Sequence, residues 1–360
     1  MRRAGYDAIV VGLGAMGAAA TYQLAKAGAR VLGVDRFHPP HELGSSHGET
    51  RITRIAIGEG AHFVPLVKRS HELWREIERE SGETILTETG MLLIAAAKPA
   101  VLHGAEDFLA ATIAAAREHD VPHETLTARE AAARFPQFAL TGDERGAYYE
   151  PGAGYLRPEA AVAAQLALAE RHGAELRFGE RVHEVAKGRV TTAAGDVTGR
   201  AIVLTVGPWI GDFLEGRFTV HRQVQYWFEA TAPEEQRDAP IFIWEIGSGP
   251  DDFFYGFPPV DGAVKLASED YTRTTTPDAC DRAVQPAEAG RFHARYVAGR
   301  LAGVTERCVK ASTCLYTVTH DRDFVIEETD YGVLLVSACS GHGFKHSAAI
   351  GEQTARRLGA

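Results

Sequence analysis

The chain has 360 residues, 45% of them hydrophobic and 24% charged, with a formal net charge of −10. That length exceeds one small module, and the composition is that of a folded protein rather than a repeat array or a disordered chain. The acidic balance speaks against a broad nucleic-acid or anionic-membrane footprint. The four cysteines, Cys280, Cys308, Cys314 and Cys339, form no CxxC pair, disulfide framework or metal-binding spacing.

Residues 6–11, Tyr-Asp-Ala-Ile-Val-Val, read as a buried parallel strand. Gly12-Leu13-Gly14-Ala15-Met16-Gly17 follows at once, then a helix over Ala18 to Lys26 and a second strand over Ala29 to Val34, ending at Asp35. This is G-x-G-x-x-G in the strand–turn–helix context it requires. Gly12 permits the tight turn, Gly14 lets backbone approach a pyrophosphate, and Gly17 allows close helix–strand packing. The helix N-terminus then offers free N–H groups to phosphates. Asp35 can accept from ribose hydroxyls. By itself the motif does not separate FAD from NAD. Residues 8–25 carry no charge and follow Arg2-Arg3, as a signal peptide or membrane span would, but the glycine turn explains the run better.

An NAD dehydrogenase commonly spends its next strands on the same sheet. Here the chain enters a polar loop, Phe37 to Gly60, before a helix from Phe63 to Ser81. The loop holds Ser45, His47, Thr50, Arg51 and Arg54. Placed on one helical turn, Arg51 and Arg54 would share a side. They form either a cationic patch for a flavin, phosphate or carboxylate, or an ordinary solvated surface.

Further on, a strand is expected over Met91 to Ala96 and a helix over Ala105 to His119. Asp143 to Gly154 reads as turn-rich, and Pro158 to His172 as a helix starting at proline. Ala174 to Glu184 and Val190 to Val197 read as antiparallel strands, and Ala201 to Val206 as a strand returning to the nucleotide sheet. Residues 223–230, 240–246, 253–257 and 263–268 alternate as a mixed or antiparallel sheet would. Lys265, flanked by Val264 and Leu266, is either a surface-facing strand residue or a functional cation. Taken alone, Cys314 is a buried thiol. A last strand, Gly332 to Cys339, turns through Ser340-Gly341-His342-Gly343-Phe344-Lys345 into a helix reaching Leu358.

Four blocks together resemble one family: VGLGAMG (11–17), SSHGETRI (45–52), YGFP (255–258) with VKL (264–266), and CLYT (314–317) with SGHGFK (340–345). The chain is similar to the D-amino-acid-oxidase-type FAD superfamily, and within it to the monomeric sarcosine oxidase branch, which includes N-methyltryptophan and fructosyl-amino-acid oxidases. The resemblance implies an α/β fold: a Rossmann-type FAD-binding domain interleaved with a mixed antiparallel-sheet substrate domain. The expected FAD segments are 1–90, 150–222 and 312–360; the substrate segments are 91–149 and 223–311.

The resemblance also assigns residues. Lys265 matches the lysine that promotes reaction of the reduced flavin with oxygen, and Cys314 the cysteine joined by a thioether to the flavin. Arg54 and Lys345 match the pair that binds the substrate carboxylate, and Tyr316 enters the substrate pocket. His47 and Arg51 position or tune the flavin. Gly12, Gly14, Met16, Gly17, Asp35 and Arg36 complete the cofactor site at one end; Ser45, Thr50, Gly341, Gly343 and Phe344 complete it at the other.

Two positions depart from the sarcosine oxidase pattern. Glu269 stands where those enzymes have a pocket histidine, as in fructosyl-amino-acid oxidases, and Phe254 stands where they have a pocket tyrosine. The expected activity is oxidation of a secondary amino acid, with a fructosyl-amino acid as leading candidate and an N-methyl amino acid as alternative. Oxygen is the expected acceptor; a flavin dehydrogenase using a carrier is a further alternative. The expected protein is a cytoplasmic monomer without metal, membrane or nucleic-acid partner.

Overall fold

The computed structural model describes residues 5–360, so Arg2 and Arg3 lie outside the described residues. Two eight-stranded sheets and one of three strands organise them.

In the first sheet, Tyr6–Val11 lies between Val31–Val34 and Gly195–Leu204, parallel to both. Leu334–Ser337 extends the parallel set beyond Gly195–Leu204, and Glu175–Arg177 beyond Val31–Val34. Ile9 and Val10, on opposite faces of one strand, are both fully buried. Burial on both sides explains the unbroken apolar run. The Val10 side packs against helices Ala15–Lys26, Val64–Ser81, Pro158–Arg171 and Ser347–Arg357, through Leu24, Trp74, Val162 and Ile350. The Ile9 side is covered mainly by a hairpin, Val182–Ala186 with Arg189–Thr192, and by Ile210.

The second sheet runs Val304–Val318, Thr219–Ala230, Ala263–Ala267, Phe253–Gly256, Ile241–Glu245, Met91–Ala95, Gly146–Glu150, Glu124–Leu126. Only Ile241–Glu245 and Met91–Ala95 pair in parallel, so the sheet is mixed, as the alternation suggests. The expected segment boundaries at 222/223 and 311/312 fall inside the strands Thr219–Ala230 and Val304–Val318.

Several local expectations change. The segment read as turn-rich contains the strand Gly146–Glu150, whose Tyr148 and Tyr149 suit a pleated surface. The run from Ala174 divides at Gly179, where φ is +71°: Glu175–Arg177 joins the parallel sheet and Val182–Ala186 makes the hairpin. Helix Ala128–Arg134 has a capping box between Thr127 and Glu130. Arg51 begins a short strand, Arg51–Thr53, paired with Gly154–Leu156, so Arg51 and Arg54 share no helical turn.

Candidate active site

One continuous cavity runs from the glycine turn to Lys345. At its first end the strand Tyr6–Val11 delivers Gly12 at φ +88°, where a Cβ would lie 2.8 Å from Thr205 O. Gly17 stands behind the wall; a Cβ there would come within 1.8 Å of Gly12 O, which is why helix and strand can pack so closely. At Gly14 a Cβ would meet nothing nearer than Ser46 Oγ at 3.4 Å, although Gly14 lines the cavity. The chain's own packing thus leaves space in front of this backbone, as the close approach of a pyrophosphate would require. Met16, Asp35 and Arg36 line the same end. Asp35 already accepts from Leu13 N at 2.6 Å and Phe37 N at 2.7 Å, and burial still pushes its carboxyl up. Arg36 pairs at 2.9 Å with Asp278, which also accepts from Trp209 Nε1; neither partner carries a sequence signal.

In the middle, the loop before Arg51 folds against the second sheet. Ser45 Oγ donates to Leu315 O at 2.5 Å, and Arg51 donates to Ser45 O at 2.9 Å and to Cys314 Sγ at 3.5 Å. Cys314 is fully buried beneath this contact and Tyr316 lines the cavity; alternation on one strand places both on the same face. Lys265 is buried. Its Nζ donates to Gly48 O at 2.5 Å and Thr50 O at 2.7 Å, and lies 5.0 Å from the Phe257 ring centre. Burial and the nearby Arg51 guanidinium push the Lys265 ammonium well below its ordinary range. His47 is buried with neither ring nitrogen bonded, and burial with Arg51 and Lys265 lowers it to about 3, so it is a neutral imidazole. Thr50 is buried, its hydroxyl unpartnered.

The far end brings together Arg54, Lys345, Glu269, Tyr316, Gly341, Gly343 and Phe344. A Cβ on Gly341 would lie 3.1 Å from Tyr316, 3.3 Å from Glu269 Oε1 and 3.3 Å from Tyr271 Oη, so two cavity-lining groups and the Tyr271 hydroxyl converge on that glycine. A 3-10 turn, Phe344–His346, precedes the final helix, and Lys345 Nζ donates to His342 O at 2.8 Å.

Phe254 requires a correction. It is fully buried and packs against Phe242, Trp244 and Tyr296, at 5.3, 5.9 and 5.8 Å between ring centres, on the face away from the cavity. Its neighbours Phe253 and Tyr255 line the cavity instead, because successive strand residues alternate faces. The phenol expected to be lost is therefore present: Tyr255 Oη lies 3.3 Å from Tyr316 Oη.

Glu59 and His103 carried no motif. Glu59 Oε2 lies 2.5 Å from Arg54 Nη2 and Glu59 Oε1 lies 3.8 Å from Lys345 Nζ. Burial would raise the Glu59 carboxyl, but Arg54 and then Lys345 hold it well below the usual range. Burial lowers Lys345 to about 8 against the opposing pull of Glu59. His103 Nε2 lies 3.5 Å from Glu269 Oε1. Phe108, Ile243 and Phe253 give this end an apolar wall.

The profile of one family, described as FAD dependent oxidoreductase, matches residues 7–357. The chain belongs to that family. Its fit is visible in the Gly14 cradle, the open cavity beyond it and the lining shared by both sheets. A monomeric sarcosine oxidase of Streptomyces avermitilis is 39% identical, over 96% of this chain and 92% of its own. An N-methyl-L-tryptophan oxidase of Yersinia pestis is 33% identical, over 97% of this chain and 94% of its own. The solved structure of a Tyr258Phe mutant of NikD, an unusual amino acid oxidase, superposes with a TM-score of 0.86 at 26% identity, covering 99% of this chain and 94% of that one. This FAD dependent oxidoreductase has no described helix long and apolar enough to cross a membrane.

Proposed function

We propose that the chain oxidises the C–N bond of a secondary, N-alkyl amino acid to an imine, with oxygen as acceptor and hydrogen peroxide as product. The observation carrying this reading is the meeting of two buried cations, Arg54 and Lys345, with an apolar wall and two phenols at one end of the flavin cavity. The names of the sarcosine and N-methyltryptophan oxidase relatives support it.

Bound FAD supplies the two-electron acceptor. Arg54 and Lys345 take the substrate carboxylate as Glu59 yields its place, which fixes the amine in one orientation. Phe108, Ile243 and Phe253 exclude water around the substituent. Lys265, held by two carbonyls, keeps a donor beside the site where charge develops on oxygen. Cys314, beneath Arg51, is the proposed attachment point for the flavin.

Glu269 offers a carboxylate to the N-substituent, which favours a hydroxylated group such as the sugar of a fructosyl-amino acid. The relatives' names favour an N-methyl group instead. Anaerobic mixing of the purified yellow protein with sarcosine and, separately, fructosyl-glycine tests both. Bleaching of the flavin by either supports amine oxidation and selects the substituent. No bleaching by these or a wider N-alkyl amino acid panel overturns it, and reduced enzyme that ignores oxygen would point to a dehydrogenase.

A further inference from the structure

His103 reaches the cavity from the loop after Met91–Ala95, and Glu269 from the turn after Ala263–Ala267. Their side chains are 7% and 5% exposed, with His103 Nε2 at 3.5 Å from Glu269 Oε1. The two carboxylate oxygens differ. Oε2 accepts the Tyr271 hydroxyl at 2.5 Å, while Oε1 lies towards Gly341 at the cavity surface. His103 Nδ1 is buried and has no partner. An imidazole and a carboxylate are thus held together in the cavity that contains Arg54 and Lys345, with one nitrogen and one oxygen left for something else.

The charges suggest what that is. Arg54 and Lys345 face Glu59, and Lys345 also feels Glu269 at longer range. A substrate carboxylate arriving on the two cations adds a third anion, and the substrate's own ammonium restores the balance opposite Glu269. Near neutral pH a secondary amino acid is an ammonium, because such amines keep their proton well above pH 7. Its nitrogen has no lone pair, and C–N oxidation needs one. One proton must therefore leave after the zwitterion binds.

Resting on the amine-oxidation reading above, we propose that Glu269 accepts the ammonium proton of the bound substrate and that His103 is the positioning residue that takes it on. In this step the ammonium N–H bond breaks and an O–H bond forms on Glu269 Oε1. The proton then moves to His103 Nε2, which restores the carboxylate. No electrons leave the substrate, and the proton departs to solvent with the product. The titratable and charged groups facing the pair are Tyr271, Tyr316, Tyr255 beside Tyr316, Arg322 against the Tyr271 ring, His342 at 5.9 Å between ring centres, Glu59 and Lys345.

The test is anaerobic flavin bleaching by sarcosine or fructosyl-glycine, whichever bleaches the wild type, from pH 6 to pH 10, in the wild-type holoenzyme and in Glu269→Gln, His103→Gln and His103→Asn. In Glu269→Gln the rate should fall by about tenfold per pH unit below the amine's own pKa, since only neutral amine is then competent. The His103 variants should shift the profile towards higher pH while keeping a rate at pH 10 within about twofold of wild type. A parallel loss at every pH, or no change at any pH, overturns the proposal. Flavin content and absorbance check that each variant is folded. The second readout needs no turnover: in holoenzyme reduced beforehand with dithionite, adding the amine at pH 7.5 should move the His103 imidazole resonances to protonated values, and should not do so in Glu269→Gln. Unmoved resonances in the wild type overturn the proposal. A wild-type enzyme bleached by no amine overturns the oxidation reading itself, and the proton step with it.

Discussion

Arg54 is already ion-paired with Glu59: Nη2 and Oε2 are 2.5 Å apart, with side chains 2% and 5% exposed. A substrate carboxylate must compete with this internal one. Glu59→Gln should therefore tighten the binding of a simple carboxylate such as acetate by roughly tenfold, or ~1.4 kcal/mol. It should also lower Tm, because breaking a buried pair typically costs about 3–5 kcal/mol. Titration of flavin absorbance and thermal melts check both, and weaker acetate binding in a folded variant would sink the competition argument.

Lys345 makes that binding pH-dependent. Its proton is held more weakly in the folded chain, to about 8, than the ordinary lysine value of 10.5. Between those values the unfolded chain binds the proton that the folded one has lost, so this group's contribution to stability rises with pH across the window. Carboxylate affinity runs the opposite way, since the cation disappears. The acetate dissociation constant should climb above pH 8, by up to about tenfold per unit, and Lys345→Met should flatten the climb. A wild-type profile level to pH 10 would contradict this.

Phe254 and Tyr255 are neighbours with opposite duties. Phe254→Ala should cost about 3–5 kcal/mol by opening a cavity among Phe242, Trp244 and Tyr296. Tyr255→Phe should leave stability within about 1 kcal/mol, yet change kcat/KM several-fold by removing the phenol facing Tyr316. Melting temperatures and steady-state kinetics of the two variants decide it. The reverse pattern would mean that the strand's faces had been exchanged.

Removing the Lys265 ammonium separates the two half-reactions. In Lys265→Met, reduction by substrate should survive, while reoxidation by oxygen slows by about 10²–10³, the usual effect of deleting one preorganised donor. The carbonyls of Gly48 and Thr50 lose their donor, so Tm should fall as well. Stopped-flow mixing of the reduced variant with oxygen gives the answer, and unchanged reoxidation would remove Lys265 from oxygen chemistry.

Cys314 can be tested without kinetics. Acid-precipitated wild-type protein should retain its yellow colour in the pellet, and Cys314→Ala should release the flavin to the supernatant. Release from both would refute attachment at this thiol.

Much of this molecule was legible from consecutive residues. The glycine turn, its strand and its helix depend on local backbone geometry, so Gly12, Gly14 and Gly17 announce them directly. A mixed or antiparallel sheet followed from alternation, and the blocks holding Arg51, Tyr255, Tyr316 and Lys345 pointed to one cavity, which Lys265 and Cys314 themselves do not line. Short-range signals failed where a choice rested on distant partners. Arg51 took a strand because Leu156 pairs with it, and Phe254 turned inward because the pleat puts Tyr255 on the cavity side. Tertiary structure alone brought Glu59 to Arg54 and Lys345, and His103 to Glu269. Buried charges are balanced by whatever the fold carries within a few ångströms of them, and sequence spacing does not record that distance.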